Sequence, residues 1–134
     1  MSTLIKRVGT TYLPVGDPKT ASQWYQEKLG AVEKYLDNEK AILDFAGQSF
    51  FLVKAMPGER TGFTASDGHR HFSMTFEVDS LEALEALRKD LLLKGAETGE
   101  FENRGHAGRN FIFHDKDGNA FDVWSELSPS YRGI

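Results

Sequence analysis

In the first half of the chain, polar and apolar residues follow two periods: strict alternation, as in a strand, and the spacing of an amphipathic helix. Residues 10–15 alternate one by one, which predicts a strand with one buried face. Asp17-Pro18 then supplies an N-cap and a first helical residue, and apolar residues recur at helical spacing as far as Gly30, where the predicted helix ends. Two more strands are predicted at 41–45 and 48–53, joined by a tight turn.

The same order returns in the second half. Residues 72–78 alternate again, Ser80 is a favourable N-cap, and leucines recur at helical spacing until Gly95, which predicts a second helix. Strands are predicted at 110–114 and 119–124, because an Asp-Gly pair between them favours a hairpin turn.

These two similar halves indicate an internal duplication of a βαβββ unit. Each half reads strand, capped helix, terminal glycine and then strands. The third strand of each unit is the least defined, and in the second unit it would fall in Thr98–Asn103. We therefore expect a single domain over residues 1–134, composed of module 1 (about 8–55), a connecting loop rich in Gly, Ser, Thr and charge (about 56–70) and module 2 (about 71–127).

Composition narrows the classes of function. The chain has no cysteine, which excludes disulfides, thiolate catalysis and cysteine-based zinc sites. Its net charge of -4 argues against a nucleic-acid partner, because such proteins need a basic surface. No apolar run approaches the roughly 20 residues that cross a bilayer, and residues 1–17 lack the apolar core of a signal peptide. We expect a cytoplasmic protein without a membrane partner.

Three segments carry a resemblance to a known family. YLPVGDPKTASQWYQEKLGA at 12–31, FEVDSLEALEALRKDLLLKGAE at 76–97 and GRNFIFHDKDGNAFDVWSE at 108–126 resemble glyoxalase/bleomycin-resistance/dioxygenase proteins, the vicinal oxygen chelate superfamily. The resemblance implies an α+β fold in which two βαβββ modules form a cupped mixed β-sheet with helices on its outer face. It also implies a homodimer, since members commonly complete their cavity across one.

Metal-dependent members of this family hold a divalent ion with His, Gln or Glu from the first and last strands of each module. The resemblance places these positions at Thr10, Ser73, Phe51 (or Leu52) and Asp122. Among them Asp122 alone is a reasonable ligand, whereas a divalent ion needs several oxygen or imidazole donors. We therefore predict no metal and no other cofactor, as in relatives that sequester bleomycin; a divalent metal is the alternative.

Strand alternation predicts which side chains face the cup, opposite the helices. The ligand pocket would combine aromatic walls with a few polar groups, an arrangement typical of small-molecule sites. Its predicted lining is Thr10, Tyr12, Phe51, Ser73, Thr75, Asp122 and Trp124. The segment RGHAGR at 104–109 would edge this pocket, where Arg104 or Arg109 binds an anionic group of the ligand or is simply solvated.

Two residues are candidates for catalysis. Asp122 would bind a cationic ligand or act as a base, or else it is a hydrogen-bonded or salt-bridged strand residue without a catalytic role. His71 shares the face of Ser73 and would replace a missing metal ligand or act as an acid or base; otherwise it is a surface histidine.

Two functions from different classes follow. The first is a protein that binds a small, aromatic or amphipathic molecule in a pocket without the usual metal site. The second is a divalent-metal-dependent enzyme of the lyase, dioxygenase or thiol-transferase type, which would use Asp122 with a displaced histidine. A regulatory module that keeps only the scaffold is a third reading, and the sequence leaves open whether the protein is an enzyme.

Overall fold

The structure is a computed structural model that describes residues 4–132. Residues 1–3 and 133–134 lie outside the described residues, and with them the ends of the predicted 1–134 domain and the start of the segment examined for a signal peptide. The chain divides after Arg60 into two units, which are described separately below. This division falls inside the predicted connecting loop.

Unit 1 is a four-stranded sheet with one helix packed on it. Its elements are β1 (Thr10–Val15), α1 (Pro18–Leu29), β2 (Val32–Leu36), β3 (Lys40–Phe45) and β4 (Gln48–Lys54). The strand order is β1-β4-β3-β2, with β1 parallel to β4 and the other pairs antiparallel. Leu13, Leu43, Phe50 and Leu52 point to the buried side of the sheet, where Tyr25 of α1 is also buried.

Unit 2 repeats this plan and adds a small hairpin before it. Its elements are β5 (Phe63–Thr64), β6 (Arg70–His71), β7 (Thr75–Glu77), α2 (Leu81–Leu93), β8 (Glu97–Thr98), β9 (Asn110–His114), β10 (Ala120–Trp124) and α3 (Pro129–Arg132). The order β7-β10-β9-β8, with β7 parallel to β10, matches that of unit 1. The buried side holds Leu84, Leu91, Phe111, Phe113, Phe121 and Val123.

The α+β class and the βαβββ order of each half are confirmed, and three details differ from the prediction. The strand expected at 72–78 is shorter, because only Thr75–Glu77 pairs with β10 as a strand. The expected loop at 56–70 holds most of the β5–β6 hairpin, which ends one residue later, at His71. The weak third strand of unit 2 is only Glu97–Thr98, followed by a single bridge between Glu102 and Asn110.

The helices within residues 4–132 are short. None of them combines the length and the apolar character that crossing a bilayer requires.

Candidate functional site

The side of the unit 1 sheet that faces away from α1 carries a continuous apolar row. Tyr12, Phe51, Ile42 and Tyr35 lie next to one another in register across the four strands. The rings of Tyr12 and Phe51 are tilted, with their centroids 5.3 Å apart. Tyr12 keeps 64% of its surface exposed, whereas its neighbour Leu13 is fully buried on the other face. We call these four residues the apolar row; Thr10 precedes it on β1, paired with Ser49.

A turn after β2 fixes one end of the apolar row. Asp37 Oδ2 accepts a hydrogen bond from the Tyr35 hydroxyl at 2.7 Å, and Asp37 Oδ1 accepts from the amides of Glu39 and Lys40. The Tyr35 hydroxyl, followed by these two amides, lowers the pKa of Asp37 to about 2. The same hydrogen bond raises the pKa of Tyr35, while Lys40 Nζ lies 5.3 Å from the centre of the tyrosine ring.

Unit 2 holds a buried carboxylate at the position that the family resemblance assigns to a metal ligand. Asp122, on β10, is only 2% exposed. Its Oδ2 accepts hydrogen bonds from Thr75 Oγ1 at 2.9 Å and from Asn110 Nδ2 at 3.0 Å. Its Oδ1 forms an ion pair with Arg104, whose Nη2 is 3.0 Å away. Oδ2 is therefore hydrogen-bonded twice, whereas the buried Oδ1 is held by the charge of Arg104 without a well-aligned hydrogen bond.

Arg104 is held by two further contacts besides Asp122. Its Nε donates to Glu102 Oε1 at 3.1 Å, and its guanidinium carbon lies 5.3 Å from the centre of the Phe72 ring. Burial alone would lower the pKa of Arg104, but the contacts with Glu102 and Asp122 raise it above its usual value, so the guanidinium stays charged. We call Asp122, Arg104, Glu102, Thr75 and Asn110 the Asp122 cluster.

The residues of unit 2 do not fit a divalent metal at Asp122. An incoming ion would have to displace the Arg104 guanidinium from Oδ1 and the Thr75 and Asn110 donors from Oδ2. In the part of the chain that the structure describes, no three His, Cys, Asp or Glu side chains converge as a metal site would require. A buried carboxylate already neutralised by a guanidinium has little affinity left for a second cation.

The loop formed by residues 104–109 is fastened to β10 beside Asp122. The indole Nε1–H of Trp124 donates to the carbonyl of Ala107 at 2.9 Å, and the ring of His106 stands edge-on to the indole with centroids 5.8 Å apart. Arg109 and Ser125 exchange two hydrogen bonds, of 2.8 and 3.1 Å. The predicted lining residue Trp124 is thus half-buried beneath this loop rather than fully open.

Gly108 is required for this close approach of loop and strand. Its φ of +77° lies in the left-handed region that side chains disfavour. A Cβ at this position would fall 2.7 Å from Ser125 Oγ and 2.8 Å from Trp124 Nε1, well inside contact distance. This constraint is not among the sequence predictions, although a glycine two residues before a predicted strand is a recognisable signal.

The remaining candidates occupy simpler environments. His71 is exposed, stacks on Phe63 with ring centroids 5.1 Å apart, and places Nδ1 at 2.6 Å from the carbonyl oxygen of Phe72. Ser73 is exposed, and Arg109 is exposed with one guanidinium hydrogen bond to the carbonyl of Gly108. The roles predicted for these three residues stay predictions.

Two residues of the site, Arg104 and Asn110, have partners that the sequence did not predict. Arg104, predicted either to bind a ligand anion or to be solvated, is instead paired with Asp122 and Glu102. Asn110 was read as a strand residue, yet it is buried and bonded to Asp122. The available signal was a lone buried acid on β10, since such an acid needs partners.

Comparison with known proteins gives one family. The family model described as Glyoxalase/Bleomycin resistance protein/Dioxygenase superfamily matches residues 6–123. No curated relative matches the sequence.

Solved structures share the fold at low sequence identity. A fosfomycin resistance protein, FosX, from Listeria monocytogenes has a TM-score of 0.75 and 18% identity, over 92% of this chain and 96% of that chain. The same protein complexed with Mn(II) and sulfate has a TM-score of 0.73 and 15% identity, over 98% and 100%. A lactoylglutathione lyase from Agrobacterium tumefaciens has a TM-score of 0.71 and 15% identity, over 92% and 96%.

Proposed function

This chain belongs to the glyoxalase/bleomycin resistance protein/dioxygenase superfamily, and we propose that it binds a small aromatic or amphipathic molecule without a metal ion. We place the binding site on unit 2, at the Asp122 cluster and the adjoining rings. Fold alone does not decide function, so the proposal depends on the chemistry of this site.

The ion pair between Arg104 and Asp122 carries the proposal. In a metal-dependent relative the corresponding acid would be available to the ion, but here its Oδ1 lies 3.0 Å from Arg104 Nη2. Exchanging an internal, preformed guanidinium contact for a hydrated metal ion is unfavourable when the other carboxylate of the cluster, Glu102, is itself paired with Arg104. The site therefore supports binding chemistry that needs no metal.

Apolar rings next to the cluster suit an aromatic or amphipathic ligand. Trp124 lies two residues beyond Asp122 on the same face of β10, and Phe72 packs under the Arg104 guanidinium. The Thr75 hydroxyl already donates to Asp122, and the exposed Ser73, two residues before it in the chain, adds a second hydroxyl. Ring surfaces with a few polar groups are the usual composition of small-molecule sites.

The apolar row of unit 1 offers a second surface that an aromatic ligand could use. Tyr12 and Phe51 present two rings with one largely solvent-exposed. We propose that Tyr12, Phe51 and Thr10 contribute to ligand binding, which the substitution Tyr12→Ala tests. A homodimer also stays a prediction, and sedimentation equilibrium tests it.

The alternative function is a divalent-metal-dependent enzyme that uses Asp122 with a displaced histidine such as His71. The FosX structure that contains Mn(II) favours testing it, because that protein shares the fold. In this chain His71 is instead engaged with Phe63 and Phe72.

A thermal-shift screen of aromatic small molecules tests the proposal. A ligand at 100 times its dissociation constant stabilises the protein by about 2.7 kcal/mol. We expect at least one such ligand, in buffer containing a chelator, and expect Trp124→Ala to abolish its shift. Trp24→Phe is the matched control, since Trp24 packs on Tyr25 in unit 1. A shift that survives in Trp124→Ala, or that appears only when Mn(II) is added, would contradict the proposal.

A further inference from the structure

We propose that Arg104 replaces the metal ion of the family as the fixed cation at Asp122, and that it binds a neutral oxygen acceptor of the ligand. A carbonyl, amide or hydroxyl oxygen fits this description, and a carboxylate or phosphate does not. The inference rests on the proposed function and names the class of ligand.

The contacts of Arg104 leave one edge of its guanidinium available. Nη2 faces Asp122 and Nε donates to Glu102, so two of the three nitrogens are engaged. Within residues 4–132, Nη1 has no hydrogen-bond or ion-pair partner. The side chain is 25% exposed, so it is reachable from solvent. Nη1 therefore keeps its N–H donors without an acceptor in the described part of the chain, and these are the donors proposed for the ligand.

The charge of the cluster selects against an anion. Arg104 contacts two carboxylates, those of Asp122 and Glu102, so the three groups together carry a charge of -1. The surrounding chain adds to this imbalance, because residues 61–134 contain 13 acidic and 8 basic residues. An anionic ligand would be repelled, while a neutral acceptor gains the hydrogen bond without that penalty. This differs from the expectation that Arg104 binds an anionic group.

The guanidinium is also held rigidly before any ligand arrives. Hydrogen bonds from Thr75 and Asn110 orient the Asp122 carboxylate, and this carboxylate in turn holds Nη2 of Arg104. The Phe72 ring packs against the guanidinium. Because the side chain is already ordered, binding avoids most of the entropy loss of immobilising a long arginine.

Three probes that share one ring system test the inference: 2-naphthamide, 2-naphthoate and 2-naphthylmethylammonium. Their dissociation constants are measured by isothermal titration calorimetry at low salt, in the presence of a chelator. We expect 2-naphthamide to bind wild-type protein at least tenfold more tightly than 2-naphthoate. Equal or tighter binding of 2-naphthoate would overturn the inference while leaving the proposed function in place.

Substitution of the pair assigns the preference to Arg104. The double variant Arg104→Met with Asp122→Asn removes the donors without leaving a buried unpaired carboxylate, and we expect it to bind 2-naphthamide at least tenfold more weakly. Arg104→Lys is a second variant that keeps a cation beside Asp122 but loses the outward N–H groups, and we expect the same direction of change. Unaltered amide affinity in either folded variant would refute the assignment.

Arg88→Met is the matched control for these variants. Arg88 has the same kinds of contact, an ion pair with Glu100 and a ring beneath its guanidinium, but it lies outside the Asp122 cluster. We expect it to leave all three affinities unchanged. If none of the probes binds wild-type protein, the proposed aromatic site itself is wrong. If all of them bind with similar affinity, the aromatic site stands and only the inference about Arg104 is wrong.

Discussion

Replacing Arg104 by methionine should destabilise the protein because it leaves the buried Asp122 carboxylate without its ion-pair partner. Asp122 is 2% exposed and would keep its two neutral donors but lose its only ionic contact among the described residues. Arg88→Met is the matched comparison, since its partner Glu100 has a side chain that is 92% exposed and returns to water when the arginine is removed.

The burial of the partner left behind sets the expected difference in unfolding free energy between Arg104→Met and Arg88→Met. Breaking a buried ion pair from one side costs about 3–5 kcal/mol. Because Arg104 itself is 25% exposed, we place its loss at the lower end, about 3 kcal/mol, which corresponds to roughly 10 °C in melting temperature for a chain of this length. Arg88 is itself only 17% exposed and also donates to the Gly99 carbonyl, but both of its acceptors belong to exposed residues, so its loss leaves no buried charge and should cost about 1 kcal/mol.

Urea unfolding at pH 7, followed by circular dichroism, measures both variants. Adding Asp122→Asn to Arg104→Met should recover at least about 1 kcal/mol, because the two side chains are directly coupled. Equal stability losses for Arg104→Met and Arg88→Met, or strictly additive effects in the double variant, would refute the account of a buried ion pair.

Three other substitutions test separate parts of the structure. Gly108→Ala should lower the melting temperature clearly more than Gly105→Ala, because both have positive φ but only at Gly108 does the new Cβ collide with Ser125; calorimetry checks this, and equal losses would disprove the close approach. Since the folded state lowers the pKa of Asp37 to about 2, its stabilising contribution is complete above the unfolded value of about 3.9 and is lost as the pH falls toward 2. Urea midpoints between pH 5 and pH 2 should therefore fall less steeply in Asp37→Asn than in wild type; parallel curves would contradict this assignment. Tyr12→Ala should weaken binding of an aromatic ligand found by thermal shift, and an unchanged dissociation constant would remove Tyr12 from the site.

Local signals in the sequence were sufficient for the helices. Asp17 caps α1 by accepting from the amide of Lys19, and Gly30 ends it with φ at +71°, as the residue types predicted. Ser80 caps α2 in the same manner, by accepting from the amide of Ala83. These features depend on neighbours within a few residues, so one sequence is enough to find them.

The errors arose where the pairing of one strand with another, rather than its own residue pattern, decides the structure. Residues 72–78 alternate like a strand along their whole length, yet only Thr75–Glu77 pairs with β10 as a strand. The residue just before this segment, His71, pairs instead with Phe63 in the β5–β6 hairpin. The Asp67-Gly68 pair is a sequence signal for this hairpin turn. The composition of the segment, rich in Gly, Ser, Thr and charge, favoured a loop instead.

The partners of Asp122 illustrate the same limit at the site. Alternation correctly puts Thr75 and Asp122 on one face, and their side chains are hydrogen-bonded. Nothing in the periodicity indicates that Arg104, which lies in an irregular loop, returns to the same carboxylate. Loop conformations of this kind depend on glycines such as Gly108 and on contacts across the fold.

Titration of chelator-treated protein with Mn(II), followed by calorimetry and by metal analysis after gel filtration, tests the central claim most directly. We predict no retained metal and no change in melting temperature in wild-type protein, because Arg104 already occupies the cation position at Asp122. A stoichiometric Mn(II) ion that is lost in Asp122→Ala would contradict the account.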